Sequence, residues 1–137
     1  MRNLLLATAL LVSITGAAIA QTASPDGAKV YFIEPKDRAE VSSPVTVRFG
    51  LSGMGVAPAG VEKAKTGHHH LLIDTKLEDY AAPVPADDNH KHFGGGQTET
   101  KVELSPGTHT LQLLLGDHNH IPHSPPVESE VITITVK

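Results

Sequence analysis

The chain of 137 residues contains no cysteine and no tryptophan. The lack of cysteine excludes disulfide bonds, thiolate nucleophiles, thiolate metal ligands and a cysteine-linked lipid anchor. The formal net charge is −4, and an acidic chain is a poor partner for the phosphate backbone of nucleic acid. The folded domain is therefore expected to depend on core packing alone, and nucleic acid is not expected as a partner.

Long hydrophobic runs are also scarce, and the one exception lies at the N-terminus. Residues 4–14 form an apolar run after Arg2, and a run of about 11 residues is much shorter than the roughly 20 of a membrane-spanning helix. Residues 18–20 have the small-x-small pattern of a signal-peptidase site. The sequence thus predicts a signal peptide over residues 1–20, a periplasmic or secreted location, and no membrane span after cleavage.

The remaining chain shows strand patterns and no sustained helical period. Small polar residues at 21–28 predict a flexible lead-in, and residues 29–137 predict a single domain. Short apolar runs with a period of two, as at residues 45–51, 98–104 and 132–136, alternate with turns rich in glycine and proline. About six such strands in a chain of this size indicate an all-β fold, an immunoglobulin-like antiparallel β-sandwich, with a β-barrel as the structural alternative.

Histidine is unusually frequent, with nine residues against three phenylalanines and two tyrosines. Three histidines occur together at positions 68–70 of a predicted strand, and others lie in the predicted loops 80–96 and 117–126. Because strand side chains alternate, His68 and His70 share one face and His69 faces the other way. Residues two apart on one strand are about 7 Å apart, so their imidazoles can converge on one ion.

These clusters predict a metal site. Neutral imidazole is the commonest protein metal ligand, and an all-imidazole site suits copper(II), zinc(II) or nickel(II). The lack of cysteine and the single methionine after the signal peptide argue against copper(I), and copper or zinc is the predicted metal. Asp74 and Asp117 would orient the imidazoles through hydrogen bonds. His109 stands alone in a strand and is expected to be structural, with a backbone hydrogen bond. The predicted metal ligands are His68, His70, His92, His120, His123, His69 and His118.

Three functions fit these features. The leading one is a periplasmic histidine-rich metal-binding protein that buffers, delivers or senses copper or zinc. The alternative is a non-enzymatic envelope module that binds a glycan or a protein partner with structural histidines, although the low aromatic content disfavours a glycan. A metal-dependent enzyme, with Glu99 or Asp74 as general base, ranks third because the sequence indicates no substrate pocket. The sequence also has no HExxH motif and no nucleophile elbow.

Four segments, at residues 30–37, 67–74, 92–99 and 107–113, together resemble the family DUF4399 in order and length. The resemblance covers nearly all of the chain after the signal peptide. It implies a small exported bacterial domain and carries no activity. The histidine positions that match the family's pattern are His68, His69, His70, His92, His109, His118, His120 and His123.

Overall fold

The computed structural model describes residue 16 and residues 20–137. The predicted signal peptide therefore lies outside the described residues, apart from positions 16 and 20. Within this described part, no helix is long and apolar enough to cross a membrane. The fold is built from strands and turns, as the period-two patterns predict.

The described residues form strands wherever apolar and polar residues alternate. In residues 45–49, for example, Val45, Val47 and Phe49 are buried whereas Arg48 is exposed, because successive side chains of a strand point to opposite faces. The strands are β1 (Lys29–Glu34), β2 (Glu40–Val41), β3 (Val45–Ser52), β4 (Gly55–Val56), β5 (Thr66–Ile73), β6 (His90–His92), β7 (Glu99–Val102), β8 (Gly107–Gly116) and β9 (Ile132–Val136).

Two sheets pack face to face. The smaller sheet has the order β1-β3-β7, and the larger has the order β2-β9-β8-β5-β4, with β6 paired to β5. Val47 of the smaller sheet and Leu71, Leu113 and Ile134 of the larger sheet are fully buried between them. The predicted β-sandwich is confirmed, and the pairings are antiparallel except for the short β2–β9 and β4–β5 contacts. The immunoglobulin-like detail stays a prediction.

Strand β5 is buried on both faces. One face carries Leu71 and Ile73 into the core between the sheets. On the other face, Leu72 packs in a second apolar cluster with Leu77 and Val84, which belong to the connection between β5 and β6. This connection covers the outer face of the larger sheet, and the outer face is where His68 and His70 lie by alternation.

The segment at residues 21–24 is hydrogen-bonded to the loop after β8. The N–H of Ser124 donates to the carbonyl of Thr22 (2.9 Å), and the N–H of Ser24 donates to the carbonyl of Ser124 (3.2 Å). Ala23 forms a parallel bridge with Ser124. Small polar composition predicts a flexible lead-in here, whereas backbone pairing, which composition does not reveal, ties the first half of that lead-in to the domain.

Candidate metal centre

Four histidines from three elements come together on the outer face of the larger sheet. His68 and His70 lie on β5, and both are fully buried. His92 on β6 stands directly opposite His70 in the antiparallel pairing, which places their side chains on the same face. His120 comes from the loop after β8. We call His68, His70, His92 and His120 the histidine cluster.

Ring nitrogens converge within this cluster. Nε2 of His68 lies 2.9 Å from Nδ1 of His120, and Nδ1 of His92 lies 3.1 Å from the same atom. The ring centroids of His70 and His92 are 4.4 Å apart. His68, His70 and His120 each offer one nitrogen such that all three lie within 4.8 Å of one another. The cluster could therefore hold a metal ion.

The contacts of the His120 ring cannot all be ordinary hydrogen bonds. Each imidazole nitrogen has one in-plane valence, which is either a lone pair or an N–H group. Nδ1 of His120 meets two ring nitrogens, and a single proton at that atom can satisfy only one of them. A divalent cation accepts several lone pairs at once, at about 2.0–2.1 Å from each nitrogen. The donor set thus fits a cation better than it fits a proton.

The tautomer of His92 follows from the hydrogen-bond partner of its Nε2 atom. Nε2 of His92 lies 2.7 Å from the carbonyl oxygen of Pro85, and a carbonyl only accepts, so Nε2 carries the proton. Nδ1 is then left with its lone pair, and this atom faces His120. An N–H to carbonyl bond behind a free nitrogen is the usual way in which a metal-binding imidazole is oriented.

Burial disfavours the charged form of His68, His70 and His120. Burial lowers the pKa of His68 to about 4 and that of His70 to about 2, and repulsion between neighbouring imidazoles adds to both effects. The pKa of His120 is lowered by burial and by the charge of His92. Within residues 20–137, Nδ1 of His68 and both ring nitrogens of His70 are buried without a hydrogen-bond partner. At neutral pH these rings therefore offer lone pairs.

Asp117 supports the turn that presents His120. Its Oδ1 accepts the N–H groups of Asn119 (2.8 Å) and Ile121 (3.0 Å), and its Oδ2 accepts the hydroxyl of Thr22 (2.8 Å). Burial opposes ionisation, but the hydrogen bond from Thr22 and those from the two N–H groups lower the pKa of Asp117. In the turn, His120 adopts a left-handed φ of 63°. Asp117 therefore acts on the cluster through the backbone that carries His120.

Three of the predicted ligands lie apart from the cluster. His69 is on the core face of β5, where its ring packs 5.0 Å from that of Phe49. His123 is buried against Gly67, with its Nε2 3.2 Å from the carbonyl of Thr66. His118 lies beside Glu62 at the surface, with 3.9 Å between Nε2 and Oε2. Strand alternation and the path of the loop separate these rings from the other four.

The sequence predicts that Asp74 orients the imidazoles of the metal site, but Asp74 lies away from the histidine cluster and contacts His109 instead. It follows the far end of β5, about 13 Å along the strand from His70, and its Oδ2 accepts Nδ1–H of His109 (2.6 Å). Nε2–H of His109 donates to the carbonyl of Ser105 (2.8 Å), which agrees with the backbone bond expected for this residue. The hydrogen bond to Asp74 and that to Ser105 raise the pKa of His109. Glu99, the other residue considered as a general base, forms an ion pair with Arg48 on the smaller sheet.

Two features of the site were not found by sequence reasoning. A Cβ atom on Gly116 of β8 would lie 2.5 Å from Cε1 of His70, so this glycine makes room for the ring. Glycine inside a strand pattern is a known sign of close approach and could have indicated this. The carbonyl of Pro85 carries no such signal, because its position depends on how the loop folds.

A family model described as a domain of unknown function, DUF4399, matches residues 47–137. This range includes the whole histidine cluster and the glycine that makes room for it. No curated protein and no solved structure matches the chain.

Proposed function

The chain belongs to the family DUF4399, and we propose that it is an exported metal-binding protein that holds copper(II) or zinc on the histidine cluster. The observation that carries this proposal is the convergence of two ring nitrogens on Nδ1 of His120, at 2.9 and 3.1 Å. His68, His70 and His120 also offer one nitrogen each within 4.8 Å of one another, a spacing that is compatible with ligation of one ion.

The donor chemistry supports these metals. All four side chains offer imidazole nitrogen, a donor that suits copper(II) and zinc(II), and the chain has no cysteine to supply thiolate. A calcium or magnesium ion would require oxygen ligands instead. The lowered pKa values of His68 and His70 leave both rings ready to bind without first releasing a proton.

The arrangement favours holding and transfer of the ion over chemistry on a substrate. A catalytic zinc site keeps one position open and needs a general base nearby. His68, His70 and His120 could supply three positions, and His92, whose Nδ1 lies 3.1 Å from that of His120, is proposed for the fourth. Asp117, the buried carboxylate of the described chain, has both oxygens occupied by hydrogen bonds. Buffering, delivery or sensing in the periplasm is therefore the proposed role.

The burial pattern also suggests a route for the ion. His68 and His70 are fully buried on β5, whereas His92 and His120 are half-buried. The ion would enter and leave on the side of His92 and His120, since these rings are the ones in contact with solvent. A site with two buried ligands and two ligands in contact with solvent is suited to reversible binding of an ion.

Metal titration of the full chain, purified without a polyhistidine tag, tests this proposal. We expect one saturable site for copper(II) or zinc in calorimetry, with one ion per chain. His120→Ala should abolish that site. His118→Ala is the matched control, because His118 lies two residues away in the same loop and points to Glu62. Absence of saturable binding to the wild type, or equal binding by His120→Ala, would contradict the proposal.

The proposed location needs a separate experiment. We expect mass spectrometry of protein from the periplasmic fraction to show a chain that begins at Gln21. An intact N-terminus in a cytoplasmic fraction would overturn export. Capture of an envelope protein or glycan that persists in a chelator would instead favour the alternative of a binding module.

A further inference from the structure

The segment at residues 21–24 lies across the two loops that support the outer ligands of the histidine cluster. The side-chain amide of Gln21 donates from Nε2 to the carbonyl of Tyr80 (2.6 Å) and to that of Pro122 (3.1 Å). Tyr80 belongs to the loop that also contains Pro85, and Pro122 belongs to the loop of His120. One side chain therefore bridges both loops.

The next residue reaches the turn of His120 directly. The hydroxyl of Thr22 donates to Oδ2 of Asp117 (2.8 Å), and Oδ1 of the same carboxylate accepts the N–H groups on either side of His120. The N–H of His120 also donates to the carbonyl of Asp117 (2.9 Å). Thr22 thus fixes the rotation of the carboxylate that closes this turn.

The turn needs such support because His120 is held in a left-handed conformation, with a φ of 63°. A side chain other than glycine adopts that region only when its surroundings impose it. The surroundings here are Asp117 on one side and the N–H of Val84, which donates to the carbonyl of His120 (2.8 Å), on the other. A turn that relaxed from this conformation would carry Nδ1 of His120 away from His68.

The second loop orients His92. Its Pro85 carbonyl accepts Nε2–H of His92 (2.7 Å), and this bond leaves Nδ1 free to face His120. Because Gln21 ties this loop to the loop of His120, the two half-buried ligands of the cluster are linked through the same short segment.

From these contacts we infer that residues 21–24 form a clasp that positions His120 and His92 for metal binding, an inference that rests on the proposed metal site. Thr22 and Gln21 are positioning residues, because they touch none of the four rings of the cluster directly and act through the two loops. Loss of the clasp should weaken metal binding and leave the sandwich core in place, since that core lies on the other face of β5.

The experiment compares Thr22→Val, which keeps the shape and removes the hydroxyl, with Thr22→Ser, which keeps the hydroxyl. Both are made in the full chain and titrated with copper(II) and with zinc. Loss of a hydrogen bond made directly to a metal ligand typically weakens metal binding by about 10–100-fold. Thr22 acts one step further out, through Asp117, and we expect Thr22→Val to weaken binding by about 10-fold, the lower end of that range. Thr22→Ser should bind as the wild type does, and Gln21→Ala should weaken binding in the same direction as Thr22→Val.

The matched control is Thr75→Val, because the hydroxyl of Thr75 reaches only the carbonyl of the next residue. Two further readouts separate positioning from general stability. Metal-free Thr22→Val should keep a cooperative thermal transition, with a Tm lowered only by the loss of one hydrogen bond to Asp117, and the visible absorption of its copper(II) complex should shift as His120 moves.

Three results would overturn the clasp. If Thr22→Val and Gln21→Ala bind metal as tightly as the wild type while His120→Ala does not, the clasp is wrong and the metal site stands. If metal-free Thr22→Val loses the cooperative thermal transition of the wild type, the segment supports the fold only. If the wild type takes up neither ion, the proposed function fails and the clasp fails with it.

Discussion

The imidazoles of His68 and His69 lie on opposite faces of β5, although the two residues are adjacent. His68 contacts His120 through Nε2 at 2.9 Å, whereas the ring of His69 packs 5.0 Å from that of Phe49 in the core between the sheets. Strand alternation is the cause. The two histidines therefore differ in role, and this difference can be measured.

Replacement of His69 should stabilise the protein. Among the described residues neither ring nitrogen of His69 has a hydrogen-bond partner, and a buried polar group without a partner costs about 1–3 kcal/mol. His69→Leu should raise the free energy of unfolding by about 1 kcal/mol and leave metal affinity unchanged. Urea denaturation in a chelator and metal titration are the measurements. A loss of metal binding in this variant would show that His69 belongs to the site.

The same residue should contribute to acid sensitivity. Burial lowers the pKa of His69 from 6.5 to about 4, so between these values the unfolded chain binds a proton that the folded chain does not. The free energy of unfolding should therefore decrease as the pH falls from 6.5 towards 4. One such group contributes up to about 1.4 kcal/mol per pH unit. Urea titrations across this range should show a shallower decrease for His69→Leu than for the wild type, and equal slopes would argue against the prediction.

A side chain on Gly116 should disturb the cluster. A Cβ atom there would lie 2.5 Å from Cε1 of His70, so the ring or the strand has to move. Gly116→Ala should cost about 1–3 kcal/mol of stability, the range for overpacking, and should weaken metal binding. Gly55→Ala is the control, because the nearest heavy atom to its added Cβ is 3.6 Å away. Unchanged affinity in Gly116→Ala would mean that His70 is not a ligand.

Replacement of His120 by glycine and by alanine should distinguish the cost of its backbone conformation from its role as a metal ligand. The φ of His120 is 63°, a conformation that costs residues other than glycine about 1–2 kcal/mol. Without metal, His120→Gly should therefore be more stable than His120→Ala by about 1 kcal/mol. Neither variant should bind metal. Chemical denaturation in a chelator gives the stability difference, and equal stabilities would indicate that the turn is not strained.

The pair of His109 and Asp74 predicts a pH window of stability away from the cluster. The hydrogen bond that His109 donates to Asp74 raises the pKa of His109 above 6.5. The resulting stability is complete below pH 6.5 and is lost as the pH rises through the raised pKa. Burial opposes the ionisation of Asp74, but its bond to His109 lowers the pKa of Asp74 below 3.8, so that contribution is lost as the pH falls through the lowered value. The pair therefore stabilises most between about pH 4 and 6.5.

Asp74→Asn tests that window. Because the Asp74 side chain is 41% exposed, solvent screens the pair. We expect a loss of about 1 kcal/mol or less at pH 5 and a smaller loss at pH 9, both reduced by salt. Urea denaturation at the two pH values is the measurement. The same loss at both pH values would show that the contribution is not ionic.

Much of the architecture could be predicted because it depends on local alternation. The period-two pattern of residues 45–51 predicts one buried face, and the structure buries Val45, Val47 and Phe49. Alternation also places His68 and His70 together and His69 apart. The loop histidine that joins these rings could not be predicted in the same way. His118, His120 and His123 lie within six positions of one loop, and nothing in their spacing shows which of them faces β5.

By itself the sequence determined the kind of donors, since a chain with nine histidines and no cysteine can offer imidazole and no thiolate, and it determined which face of β5 each histidine occupies. The tertiary structure alone decided that His92 stands opposite His70, that the loop after β8 delivers His120 rather than His118, and that Thr22 reaches Asp117 across 95 positions of sequence. Side-chain alternation is a property of neighbouring residues along one strand, whereas loop paths and strand partners depend on contacts between residues far apart in the chain.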